Sequence, residues 1–167
     1  MPDWREFFGG QSLPSLEEAR LNHPNLDKMA GCVFISHSGR DRNVIENELI
    51  DSIIFERKGP NGYFLYSSLI GGDIYKAVVL AALSLCRYAI VVAGRNSLGH
   101  PWIEAEVDWL LAHGRPIAVY KLDRTPPVRL HPGLGFRFFR KSQVNVFERS
   151  NRQALTKWID RVDRPCP

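Results

Sequence analysis

The stretch GHPWIEAEVDWLLAHG, residues 99–114, puts a carboxylate where a helix should be apolar. Positions three and four apart share a helix face, so Glu106 has Trp102, Ile103, Trp109 and Leu110 as its neighbours one turn away. Glu104, two residues earlier, sees His100, Pro101, Val107 and Asp108 instead, and reads as the solvated member of the pair. A carboxylate on an apolar face loses hydration unless it finds partners there, and its placement costs stability. In a water-poor site such a group can stabilise a developing positive charge. The competing reading is a side chain that snorkels to the helix edge or bonds a backbone amide. Trp102, taken alone, reads as core rather than as a platform for a ligand.

Other residues offer weaker chemistry. Arg40 and Arg42 can grip a phosphate bidentately, or serve as surface and helix-entry charges. Asp41 fits the N-cap of a helix beginning near Asn43. Gly71-Gly72 ahead of a helix can admit a phosphate to its first amides, although a plain tight turn is the commoner use of two glycines. His37, His100 and His113 lack ligand spacing, and Cys32, Cys86 and Cys166 form no CxxC, so no metal is expected and the thiols read as buried and free. There is no GxGxxG, Walker lysine loop, HExxH or GxSxG, which removes the motif-based case for dinucleotide-fold, P-loop, zincin and serine-hydrolase chemistry.

The elements that must position these residues follow from composition and pattern. A chain of 167 residues that is 44% hydrophobic can bury one core, and its length fits one domain. No apolar run approaches the ~20 residues of a membrane span. The first residues, MPDWREFFGG, lack the basic-then-apolar order of a signal peptide. A soluble, cytoplasmic protein with no membrane partner is the expectation. The net charge is +4, and from Arg124 onward ten Lys/Arg face three acids, which leaves the rest of the chain three acids in excess. That basic end reads first as solvated surface; nucleic acid is the least favoured partner.

Residues 1–30 mix glycine, proline and a short helical candidate whose Ser15 and Glu18 have capping-box spacing, an extension laid against a domain of residues 31–167. GCVFIS predicts a strand, HSGRD a polar loop, and NVIENELIDSIIFER a helix with Ile45, Leu49 and Ile53 at helical spacing. GYFLY is a second strand. SSLIGG is a loop ending at Asp73, an N-cap for IYKAVVLAALSL. YAIVVA is the third strand, and Pro101 suits the first turn of the Glu106 helix. PIAVYKL is the fourth strand, QVNVF a fifth, and NRQALTKWIDRV a closing helix. Short apolar strands separated by helices make a parallel sheet covered on both faces. The expected class is α/β and flavodoxin-like, five strands in order 2-1-3-4-5, with a ligand crevice where strands 1 and 3 diverge.

CVFISHSGRD, residues 32–41, resembles the first box of bacterial Toll/interleukin-1 receptor (TIR) domains. YAIVVAGRNSLGHPWIEAEVDWLL resembles their third-strand segment, in which a serine-containing loop leads to Trp and, four residues later, Glu. The match runs over about residues 31–163 in the right order. Ile103 stands where Cys is frequent, Gly71-Gly72 where many relatives have Pro-Gly, and His37-Ser38-Gly39 where some members carry arginines.

The resemblance implies one of two activities. TIR enzymes cleave NAD+ at the nicotinamide-ribose bond with the Glu of Trp-x-x-x-Glu, here Glu106 beside Trp102. NAD+ is then the substrate, no cofactor is implied, and the product is ADP-ribose or a cyclic isomer. Trp102, Ser36, Arg40 and the amides near Asp73 would hold ring, ribose and phosphates. Free-standing relatives serve bacterial anti-phage signalling, where the product activates a separate effector. Other TIR domains are non-catalytic scaffolds or adaptors that self-associate or bind other TIR domains through the loop after the second strand, here Ser67, Ser68, Leu69, Ile70, Gly71 and Gly72.

Overall fold

A computed structural model describes residues 3–9, 21, 25–65, 73–135 and 143–164, with residues 73 and 74 described by backbone alone. The capping pair Ser15 and Glu18, the loop Ser67–Gly72 and Cys166 lie outside the described residues.

Each expected strand forms: β1 (Val33–Ser36), β2 (Tyr63–Leu65), β3 (Tyr88–Ala93), β4 (Ile117–Lys121) and β5 (Val144–Glu148). They form one sheet in the order β2-β1-β3-β4-β5, and every pairing is parallel. This is the flavodoxin-like α/β arrangement that the alternation of strands and helices predicts. β1 and β3 are buried at every position because helices cover both faces of the sheet.

The two helical layers are α2 (residues 42–58) with α5 (Arg152–Val162) on one face, and α3 (Asp73–Leu85) with α4 (Pro101–Ala112) on the other. Strand alternation sorts the core between them. Val33, Ile35, Ile90 and Tyr120 pack with α2 and α5, while Phe34, Val91 and Val119 pack with α3 and α4.

α2 departs from the expected winding. Arg42–Ile45 and Phe55–Lys58 are α-helical, but Glu46–Ile54 between them is π-helical, and the Phe55 amide bonds the Ile50 carbonyl five residues back. Along this segment Leu49, Ile50, Ile53 and Ile54 are all buried against the sheet. α5 is capped by Asn151, whose side chain accepts the Ala154 amide at 3.3 Å.

A short helix, α1 (Trp4–Phe7), is capped by Asp3, whose Oδ1 accepts the Arg5 amide at 2.9 Å. Phe8 and Leu26, both within the N-terminal 30 residues, are buried in the same core as α3 and α4. Among the described residues no helix is long and apolar enough to cross a membrane.

Candidate functional site

Ser36 ends β1 opposite Val91 of β3. It lies on the same side of the strand as Phe34, so its hydroxyl points toward the α3/α4 layer. The chain enters α4 through Gly99, whose φ of +63° lies in the left-handed region that glycine adopts without strain, and Pro101 occupies the first turn. From there 3.6-residue periodicity brings Glu106 against the sheet with Ile103 and Leu110, both fully buried, and Trp109, nearly so.

The two side chains meet. Ser36 Oγ donates to Glu106 Oε2 at 2.7 Å. Ser36 is inaccessible to solvent, and Glu106 is 8% exposed. Among the described residues Glu106 makes no other hydrogen bond, and its Oε1 finds no partner there. Burial pushes the carboxyl up from its ordinary 4.5 to about 8, and the Ser36 hydroxyl opposes the rise by favouring the ionised form. At neutral pH the group therefore mostly keeps its proton, and a cation brought beside it would draw the proton off.

The other expected site residues are placed differently. Trp102 is half-buried, with its indole against Phe7 at 5.0 Å and Phe8 at 6.3 Å between ring centroids, both edge-on. Arg40 is exposed in a turn, Gly39–Asp41, that Ser38 caps by accepting the Arg40 amide at 3.3 Å. Its side chain makes no hydrogen bond or ion pair among the described residues. Asp73 is the first residue of α3, and its side chain lies outside the description. Glu104 is half-buried rather than fully solvated.

Asp41 stands at the N-cap position, but its side chain does not cap the helix. Oδ1 accepts instead from Asn96 Nδ2 at 2.8 Å, tying the loop after β1 to the loop after β3. The Asn96 amide outcompetes the local backbone donors because both side chains are brought together at the carboxyl edge of adjacent strands. Asp41 also borders a crevice of about 260 Å³ with Arg95, Asn96, Asp123 and Arg149, which does not include Glu106.

Sequence reasoning missed the groups that brace α4 from outside. Asp108 accepts the Trp4 amide at 3.0 Å through Oδ2. Its Oδ1 lies 3.2 Å from His131 Nε2. His131 Nδ1 accepts the Gly133 amide at 2.9 Å, which puts the ring proton on Nε2, where it donates to Asp108. The Trp4 ring meets His113 edge-on at 5.2 Å, and Lys76 of α3 sits 4.5 Å above Phe7. The only local trace of this brace was the aromatic content of DWREFF; its partners lie about a hundred residues away.

Among the described residues no group of three or more His, Cys, Asp or Glu side chains is arranged to hold a metal. Cys32 and Cys86 are buried free thiols, held up at about 12 and about 11 chiefly by burial. No family model, curated protein or solved structure matches this chain.

Proposed function

We propose that this chain is a TIR-type enzyme that cleaves NAD+ between nicotinamide and ribose, with Glu106 as its essential carboxylate. The observation that carries the reading is a buried carboxylate at the carboxyl edge of a flavodoxin-like sheet, with one oxygen bonded to Ser36 and the other unpartnered among the described residues. Such a group suits a reaction in which positive charge develops on a ribose carbon.

In that reaction the bond between ribose C1′ and the pyridinium nitrogen breaks, and its electron pair returns to the ring, which leaves as neutral nicotinamide. No general acid is needed for this leaving group. The ionised Glu106 stabilises the cationic ribose. Water then adds to C1′ and gives up a proton to form ADP-ribose, or a nucleophile from the adenosine half closes a cyclic isomer. The positive charge of NAD+ itself favours the ionised carboxyl on binding. A product of this kind fits a role in bacterial immune signalling, through a separate effector that reads it.

The test is incubation of purified protein with NAD+, with products identified by chromatography and mass. Nicotinamide release by the wild type, and its loss in Glu106→Ala with unchanged circular dichroism, is the expected result. Turnover retained in that variant would remove Glu106 from the chemistry. Binding to a TIR domain without NAD+ consumption would assign the scaffold role instead.

A further inference from the structure

We propose that Ser36 is a positioning residue for Glu106, fixing Oε2 through its hydroxyl so that Oε1 is the single carboxylate oxygen presented to a bound substrate. The inference deepens the reading of Glu106 as the reacting carboxylate and rests on it for its catalytic meaning. It gives Ser36 a different task from the ribose contact that the TIR resemblance implies.

The geometry supports this assignment. Ser36 is inaccessible to solvent, and its hydroxyl is committed to Glu106 at 2.7 Å. Once the carboxyl ionises, this becomes a charge-assisted bond, among the stronger kinds available to a hydroxyl. The hydroxyl sits at the end of a strand held between β2 and β3, with Ser36 itself paired to Val91 of β3, so it is a rigid anchor. A glutamate side chain has three rotatable bonds, and without the anchor its carboxyl would sample several rotamers along the helix face. With one oxygen held, the carboxyl plane and the direction of the other oxygen are set before substrate arrives, which is the condition for electrostatic preorganisation.

Among the described residues no ion pair competes for this carboxyl. Burial and the Ser36 bond are the two influences on its proton affinity. On its own helix Asp108 is tied to the Trp4 amide and His131, and Glu104 lies on another face. From α3, Lys76 sits over Phe7. From the loop after β1, His37 Nδ1 donates to the Ser38 carbonyl at 2.9 Å. Ser36 is thus the one polar group placed to tune Glu106 among the described residues.

Two measurements test the proposal and keep its failure apart from that of the NAD+ reading. The first is a carboxyl carbon-13 titration of Glu106, assigned with Glu106→Gln, in the wild type, Ser36→Ala and Ser36→Thr; it needs no substrate. Loss of the hydroxyl should tighten proton binding at Glu106 about tenfold. Threonine, which keeps the hydroxyl, should restore the wild-type value. An unchanged titration in folded Ser36→Ala overturns the proposal, as does a threonine variant that behaves like alanine. The second is the pH profile of NAD+ turnover. The kcat/KM profile of Ser36→Ala should move to higher pH by the same factor, and kcat at its plateau should fall while KM stays within twofold. A plateau kcat equal to that of the wild type overturns the positioning role even if the titration moves. A wild type that bonds and titrates as stated but consumes no NAD+ rejects the reaction and with it the catalytic role of Ser36, while leaving the bond itself established.

Discussion

The indole of Trp102 and the phenyl ring of Phe7 meet at an angle of 78° with centroids 5.0 Å apart, which joins α1 to the helix that carries Glu106. An edge-to-face pair of this geometry contributes about 0.5–1.5 kcal/mol beyond its buried area. A double-mutant cycle of Phe7→Ala and Trp102→Ala, read by urea denaturation, should recover a coupling in that range. Strictly additive losses would show that the two rings touch without mutual stabilisation. Phe8→Ala should cost more than Phe7→Ala, about 3–5 kcal/mol, since Phe8 is 2% exposed in the core.

Glu106 makes the stability of the fold depend on pH. Its proton affinity in the folded chain is raised, so between about 4.5 and about 8 the folded state keeps a proton that the unfolded state releases. The stability linked to that proton is fully present below 4.5 and is lost as pH rises through 8. Glu106→Gln is neutral throughout and should melt at least ~4 °C higher than the wild type at pH 8.5, with a flatter dependence on pH. Parallel melting curves for the two proteins from pH 4.5 to 8.5 would rule out the buried charge as the cause.

The same shift sets the direction of the rate profile. If ionised Glu106 stabilises the ribosyl cation, kcat/KM for NAD+ should rise with pH and level off above about 8, the value for the free protein. Bound NAD+ is cationic at the pyridinium, so kcat should level off at lower pH than kcat/KM. A kcat/KM that falls between pH 6 and 8 would demand a protonated Glu106 and a different chemistry.

Glu104 provides the contrast within one helix turn. It makes no hydrogen bond with Ser36, and no other anchor holds it among the described residues. Glu104→Gln should keep nicotinamide release within about twofold of the wild type, against a loss of at least about a hundredfold for Glu106→Gln. Equal losses in both variants would show that the two acids act together.

Asn96 and Asp41 form a structural pair at the carboxyl edge of the sheet. Asp41 is 6% exposed and, among the described residues, its Oδ2 has no hydrogen-bond partner and the Asn96 amide is its one side-chain donor. Asn96→Ala should therefore destabilise by about 2–3 kcal/mol, because it strips the remaining partner from a buried carboxylate. A loss below about 0.5 kcal/mol in denaturant titration would mean that the loops hold their places without it.

Local pattern made the strands of the sheet legible, while their order was expected from the common flavodoxin-like arrangement and is the one observed. The first four strands are apolar runs closed by polar or glycine-rich residues, β5 alternates as VNVFE, and helices between the strands favour a parallel sheet with both faces buried. Glu106 was legible for the same reason, as an exception to a 3.6-residue pattern. Its bond to Ser36 was not, because the two lie 70 residues apart and register alone decides which strand side chain faces the helix. Asp41 was misread because N-capping is a local rule and Asn96 is a distant donor. The π-helical winding of Glu46–Ile54 was hidden since Ile45, Leu49 and Ile53 satisfy α-spacing on their own.

Asp108 joins the Trp4 amide to the His131 ring across the outer side of α4. A helix gripped there by segments from both directions of the chain resists rolling about its axis. Tension applied at residue 3 would reach the Glu106 helix through the Trp4–Asp108 hydrogen bond and the ring contacts of Trp4, Phe7 and Phe8, which makes α4 an element where a mechanical pull on the N-terminal segment is felt.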